Sequence, residues 1–283
     1  PLRAGASAIG LLAAAGSAVE PGTLDALGGL VAIAIERSRL LEDRRAAELA
    51  RQGEELKSAL LASLGHDLRT PLTAIRVAAA NLQRPLSESD QREQSALVLS
   101  EVERLTRLFQ NILEMARIDA GAIAAEQRWT HPDEIIEVAR ELVAPALVEH
   151  HVTVTIDTTM LVKLDPRLTA NALSHLLENA AQYSPAGSHI DVVARAVDGE
   201  IRFAVLDRGP GLGQEDRERL FDRFYRGLQK GQHAGSGMGL SIARGLLAVE
   251  GGRVWADNRP DGGAAFTIAV PAEMRPLTSE VDV

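Results

Sequence analysis

The ten residues Ser63-Leu64-Gly65-His66-Asp67-Leu68-Arg69-Thr70-Pro71-Leu72 carry a helical stripe with a proline inside it. Leu64, Leu68 and Leu72 recur every four residues and mark one face of a helix. His66 and Arg69 then point away from that face. An exposed histidine alone means little. Here a carboxylate, Asp67, follows directly, and Thr70 lies one turn on, four residues after His66. A neutral imidazole is a nucleophile near pH 7. A carboxylate that takes its other ring proton holds the tautomer and stabilises the developing cation. Pro71 removes one backbone hydrogen bond and bends a helix locally.

Upstream, Leu24, Leu27, Val31, Ala34 and Ile35 recur at helical spacing, and Leu41, Leu49, Leu56 and Leu60 continue it. No proline lies between Thr23 and Thr70, so one long helix or two joined ones are expected. Downstream, helix-compatible residues run to Leu82, and Arg84 to Asp90 reads as a loop. A second helix follows, with Val98, Val102, Leu105, Phe109, Ile112, Ala116 and Asp119 in a near-heptad seam that stops at Gly121. The two helices make an antiparallel hairpin, and two such hairpins pair into a four-helix bundle. The seam alone fits a structural coiled coil equally well.

After Trp129 the texture turns mixed. A helix is expected from Pro132 to about His150, a strand over Val152–Ile156 and a helix from Asp165-Pro166 to about Ala181. Strands follow at His189–Val197 and Glu200–Asp207 around the turn Asp198-Gly199. A helix over Gly239–Glu250 and closing strands at Arg253–Asp257 and Ala264–Val270 complete one sheet packed on about three helices. Residues from Met274 read as a tail.

Composition sets limits. At 283 residues the chain suits about two domains. Aromatics are only 3%, so aliphatic side chains must fill the core. A net charge of −9 speaks against nucleic acid as a partner. The absence of cysteine excludes disulfides and thiolate metal sites. No apolar run in the sequence is long enough to span a bilayer, and the chain opens at Pro1 in what reads as mid-domain sequence. A cytoplasmic location is expected, with any membrane anchor or sensor lying upstream of these residues.

The stretch around His66 closely resembles the H-box of the sensor histidine kinases, a Ser-His-Asp/Glu-Leu-Arg-Thr-Pro-Leu run. Three further stretches resemble that family's boxes, in its order. Glu178-Asn179-Ala180-Ala181-Gln182-Tyr183 resembles the N-box, and an amide oxygen suits magnesium. Asp207-Arg208-Gly209-Pro210-Gly211, after a strand, resembles the first glycine box. Gly235-Ser236-Gly237-Met238-Gly239, opening a helix, resembles the second; a helix N-terminus favours phosphate. Leu220-Phe221-Asp222-Arg223-Phe224-Tyr225-Arg226 resembles the F-box, which makes Gln214–Ala234 the ATP lid. Singly, each has a bland reading: a helix cap, an Asp-Gly turn, a solvated charged face.

The resemblance implies an α+β chain with ATP and Mg2+ as cofactors. Residues 1–45 would be the end of a GAF-like sensory domain and its signalling helix, most similar to KdpD-type members. A dimerisation and histidine phosphotransfer domain would occupy 46–125, a Bergerat-type α/β sandwich 126–275 and a tail 276–283. His66 would accept the phosphoryl group, with Asp67 as its acid/base and Thr70 serving phosphatase activity. Asn179 would bind magnesium and Tyr183 would lie near adenine, which Asp207 reads. Gly209, Gly211, Gly235, Gly237 and Gly239 would admit the nucleotide, with Arg226 and Lys230 on the phosphates. A homodimer and a response-regulator receiver domain are the implied partners. Two residues depart from the family pattern: His175 stands where many members have Asn, and Gln182 where a phosphate-contacting Lys is frequent. Rival classes are a Bergerat-fold ATPase of the chaperone or repair type, which has no H-box, and a non-catalytic scaffold.

Overall fold

The computed structural model describes residues 2–4, 7–10, 21–214, 216–223, 225 and 237–277; within the first long helix most side chains from 43 to 66 fall outside that description. The chain divides into two compact units, Pro1–Gly65 and His66–Val283. In the first, strands β1 (Leu2–Ala4) and β2 (Ser7–Gly10) pair antiparallel. Helix α1 (Pro21–Leu82) begins there, with buried Leu2 beside its Gly28. A proline at the helix start needs no amide hydrogen. Of the two expected forms, the single helix is the one found, and it continues through buried Pro71.

In the second unit α1 leads by a short loop into α2 (Glu88–Asp119). Ser87 caps α2 by accepting from the Asp90 N–H at 3.2 Å, and acidic Glu88 and Asp90 suit the positive helix end. Asn81 donates to Gln94 at 3.2 Å, tying the two sides of the hairpin. Gly121, at φ +60°, follows the helix end. In the single chain the expected seam divides into covered and exposed positions. Leu108 and Met115 are buried and Val98, Leu105 and Ile112 partly so, whereas Val102 and Phe109 are exposed. α2 carries more apolar positions than one neighbour covers, and a heptad read from sequence mixes the inward and outward ones.

The remaining elements are β3 (Arg128–Thr130), α3 (Pro132–Leu142), α4 (Ala144–Leu147), β4 (His151–Asp157), β5 (Met160–Leu164) and α5 (Pro166–Tyr183). They continue with β6 (His189–Val197), β7 (Glu200–Leu206), α6 (Asp216–Arg219), α7 (Gly239–Val249), β8 (Arg253–Asn258), β9 (Ala264–Pro271) and β10 (Glu273–Pro276). The helix expected from Pro132 to His150 breaks at Val143, because Pro145 cannot donate and its ring crowds the preceding turn. A mixed five-stranded sheet, order β4-β6-β7-β9-β8, is parallel only at β4–β6. Asp198 (φ 49°) and Gly199 (φ 80°) form the left-handed turn between β6 and β7. Helices α3, α5 and α7 pack together over this sheet. Leu173, Leu176 and Leu177 of α5, Ile190 and Phe203 of the sheet, and Ile242 of α7 are fully buried between them.

A second sheet, order β10-β5-β3, corrects the single-sheet expectation. It also corrects the tail: Glu273–Pro276 pairs with β5, and the Leu277 N–H donates to the Thr159 carbonyl at 3.1 Å. Arg275 stacks over the Trp129 ring at 4.5 Å, and Lys163 pairs with Glu273 at 2.9 Å. Strands of three to five residues show too little alternation to read from sequence.

Fully buried Asp165 caps α5 and joins it to the chain before β3. Its Oδ1 accepts from the Arg167 N–H at 2.9 Å, and its Oδ2 accepts from the Glu126 N–H at 2.8 Å and from the Arg167 guanidinium at 2.9 Å. Burial pushes this carboxyl up, but those hydrogen bonds outweigh it and hold it below the usual carboxylate range. A depressed carboxylate stabilises the fold above its unfolded value, and that contribution is lost as pH falls through the folded one. Asp165→Ala is therefore expected to lower stability by about 2 kcal/mol at pH 7. In urea unfolding series the gap to the wild type narrows once pH drops below about 4. A gap independent of pH would show that the ionised cap is not what stabilises α5.

Candidate functional site

The chemistry-bearing residues of the sandwich converge on α5, the end of β7 and the start of α7. Asp207 directly follows β7 and is buried to 2% exposure. Its Oδ1 accepts from the Gly209 N–H at 2.8 Å and from the Ala264 N–H at 2.9 Å. Among the described residues its Oδ2 accepts no hydrogen bond. Burial pushes the carboxyl up, opposed by those two amides and by the Arg259 charge. The result is a fixed carboxylate with one oxygen committed to the loop and the other available to a donor from a ligand.

Glycine is needed in this loop for reasons the structure supplies. A Cβ on Gly209 would lie 2.9 Å from the Tyr183 carbonyl oxygen, so the loop sits directly against the end of α5. Gly211 has φ +79°, and a Cβ there would lie 2.9 Å from Asn258 Oδ1. Asn258 holds the loop at both its polar ends: Oδ1 accepts from the Leu212 N–H at 2.6 Å, and Nδ2 donates to the Leu212 carbonyl at 2.9 Å. Arg259 donates to the Asp207 carbonyl at 3.1 Å, and the Ser184 hydroxyl accepts from the Arg208 N–H at 3.3 Å. Sequence reasoning missed Asn258, Arg259 and Ser184. Asn258-Arg259-Pro260-Asp261-Gly262-Gly263 is visible as a turn, but nothing local says that it grips a loop some 50 residues earlier.

On α5, Asn179 is partly buried and makes no hydrogen bond to the described residues. Tyr183, partly buried, sits at the C-terminal end of the same helix. Helix α7 opens at Gly239 with no side-chain cap after Gly237 at φ +67° and buried Met238. Among the described residues its first amide hydrogens therefore have no side-chain acceptor, as an anion site requires. Among the described residues no cluster of three or more His, Cys, Asp or Glu is placed to hold a metal. The Asn179 amide suits magnesium that draws its other ligands from phosphate and water.

His66, Asp67 and Thr70 lie on α1, apart from these elements; the His66 side chain is outside the description, Asp67 is partly buried and Thr70 exposed. Arg226, Lys230 and Gly235 lie outside the described residues. Of the lid, Gln214, Asp216–Arg223 and Tyr225 are described, with Phe221 buried. The end of α2 touches this region. Ile118 lies where a Cβ on Gly245 of α7 would come within 2.8 Å, and Arg223 pairs with Asp119 at 2.6 Å.

Two family models match this chain. Residues 164–274 match the histidine kinase-, DNA gyrase B- and HSP90-like ATPase, and residues 56–121 match the His Kinase A (phospho-acceptor) domain. A phosphoacceptor hairpin followed by this ATPase sandwich defines the sensor histidine kinases, and the chain belongs to that family. Within it the chain is similar to the sensor protein KdpD of Escherichia coli strain K12, 33% identical over 99% of this chain and 32% of that protein. It spans about a third of the length of the KdpD proteins it matches. Full-length ShkA in complex with AMPPNP is similar in structure, with a TM-score of 0.57 and 27% identity over 76% of this chain and 46% of that one. The histidine kinase ThkA, in its complex with the response regulator protein TrrA, shares the fold. Its TM-score is 0.62 at 20% identity, over 79% of this chain and 64% of that one.

If Asn258 is the clamp on the glycine loop, Asn258→Ala frees both polar groups of Leu212. Hydrogen exchange of the Gly209–Gly213 amides is expected to accelerate at least about tenfold, with β8 and β9 protection retained. Unchanged loop protection would assign the clamp to Arg259 instead.

Proposed function

We propose that this chain is the autokinase core of a two-component sensor. It transfers the γ-phosphoryl group of magnesium-ATP to His66 and then to an aspartate of a response-regulator receiver domain. One observation carries the proposal: a single chain joins the His66-Asp67-x-x-Thr70 run on α1 to an Asp207-anchored glycine loop set against α5 and an uncapped α7. The likeness to KdpD along 99% of the chain supports it. So does the histidine kinase ThkA, whose solved complex contains a response regulator. A chaperone- or repair-type ATPase has no use for the α1 run, and a scaffold none for the site.

In this reading the Asp207 Oδ2 accepts from the exocyclic amine of adenine, and Tyr183 lies along the ring. Gly209 and Gly211 bring the backbone close to the nucleoside. Gly235, Gly237 and Gly239 place the phosphates at the start of α7, with Arg226 and Lys230 of the lid adding charge. Asn179 would hold magnesium, whose charge would offset that developing on the transferring phosphates. An imidazole nitrogen of His66 forms a bond to the γ-phosphorus in line with the breaking bond to the β–γ bridging oxygen, and ADP departs with that electron pair. Asp67 accepts a hydrogen bond from the N–H of the other ring nitrogen and stabilises the cation that forms. Most of the acceleration comes from positioning.

The core works as a homodimer. Leu72 and Val77 of α1 and Leu99, Val102, Phe109 and Leu113 of α2 are exposed apolar side chains that a second hairpin would cover. Its need for ATP supports a cytoplasmic location for these residues.

His66→Ala is expected to abolish phosphorylation while ATP affinity stays within about twofold, since the nucleophile lies outside the nucleotide pocket. Asp207→Asn is expected to weaken ATP binding by about tenfold or more, through the lost charge-assisted bond. Fluorescent-nucleotide titration beside phosphorylation assays separates the two; loss of binding in His66→Ala would contradict the division of labour.

The core also dephosphorylates its regulator, with the Thr70 hydroxyl orienting the attacking water by one accepted and one donated hydrogen bond. Thr70→Ala should lose phosphatase activity selectively. Equal losses of kinase and phosphatase rates would make Thr70 structural.

A further inference from the structure

Away from the nucleotide pocket, histidines gather at one corner of the five-stranded sheet. His151 opens β4, His189 opens β6, and the two are direct partners in the parallel ladder. Side chains alternate between the two faces of a sheet, so a pair in register shares one face. Here it is the face opposite buried Ile190 and Val192, and both histidines are exposed on it. Their ring centroids lie 5.2 Å apart, with the planes tilted by 36°. Among the described residues neither imidazole makes a hydrogen bond or an ion pair.

The backbone holds this pair in place. The His151 N–H donates to the Ser188 carbonyl at 3.1 Å, and the Gly187 N–H donates to the Glu149 carbonyl at 2.7 Å. The segment leading into each histidine is thus tied to the other, and two ligands fixed side by side need little further ordering to act together. The neighbouring side chains are engaged elsewhere. His150 Nδ1 lies 3.4 Å from the Ser188 hydroxyl. Asp191, two residues along β6 on the same face, pairs with Arg208 at 3.8 Å and with Arg259 at 3.9 Å.

The ring separation fits a shared ion. An imidazole nitrogen binds zinc at about 2.0–2.1 Å, which sets the centroids of two rings on one tetrahedral ion about 5 Å apart. Ring stacking alone also allows this distance. Stacking makes no use of the ring nitrogens, which the protein leaves unengaged.

We propose that His151 and His189 form a two-histidine site for a borderline-soft divalent cation of the zinc class. Each ring gives one nitrogen. Water fills the remaining positions, because no third His, Cys, Asp or Glu joins the pair among the described residues. Imidazole ligands set the site apart from magnesium, a hard cation that takes oxygen. A bound ion clips β4, at the edge of the sheet, to β6. Their pairing is parallel, the weaker kind, so the clip acts where the sheet gains most from it.

Two measurements on the whole chain without nucleotide test this, with zinc chloride as the probe and magnesium chloride as the control. In hydrogen exchange of the wild type, zinc is expected to slow the amides of β4 at least about threefold, and magnesium to leave them unchanged. In calorimetric titration, His151→Gln and His189→Gln are each expected to weaken zinc binding at least about tenfold, and His150→Gln less than about twofold. Exchange in β4 that zinc leaves unchanged would overturn the proposal without recourse to any variant. So would zinc bound as tightly by His151→Gln and His189→Gln as by the wild type. A loss in His150→Gln as large as in the other two would overturn the pairing of His151 with His189, as would an equal effect of magnesium on β4.

Discussion

The site depends on one buried carboxylate. Asp207 directly follows the central strand β7, and its Oδ1 draws in the Gly209 amide on one side and the Ala264 amide of β9 on the other. Those two bonds set where the glycine loop leaves the sheet. The loop then reaches the end of α5, where only a residue without a side chain fits beneath the Tyr183 carbonyl. Gly263 is under the same constraint: at φ +86° a Cβ would collide with the Asp207 carbonyl oxygen. An unpaired charge at this depth would be strongly unfavourable, so the amides and Arg259 are as necessary to the fold as the carboxylate is to a ligand.

Contact between hairpin and sandwich is of a different kind. Ile118 fits against α7 because residue 245 is glycine, and Asp119 meets Arg223 at the surface. Exposed ion pairs contribute about 0–1 kcal/mol each. A close apolar fit supported by such pairs holds the two parts together without locking them, which suits a phosphoryl donor site that must reach an acceptor on another element.

Much of this was legible in the sequence, for local reasons. Asp165-Pro166 announced the start of α5, and Asp198-Gly199 the turn between β6 and β7, because caps and left-handed turns depend on one or two residues. The boxes around Asn179, Asp207 and Gly239 mapped onto adjoining elements. What stayed hidden was non-local or brief. Pro145 stops a helix whose apolar periodicity runs on past it. β3, β5 and β10 are too short to alternate, and the pairing of β10 with β5, more than 100 residues earlier, makes an edge strand of the expected tail. The seam of α2 interleaves positions partly covered within one hairpin, Val98, Leu105 and Ile112, with exposed ones, Val102 and Phe109. The grip of Asn258 on Leu212 has no sequence signature at all, since an Asn in a turn is ordinarily explained by the turn.

The central claim is that a nucleotide held by the sandwich phosphorylates the hairpin on His66. The most direct test is to incubate the protein with magnesium and ATP labelled in the γ position and to map the modified residue by mass spectrometry under alkaline conditions. The account predicts one phosphoryl group on the His66 ring, stable in base and lost in acid. Label in acid-stable form, label on another residue, or steady release of free phosphate with no protein-bound label would contradict it.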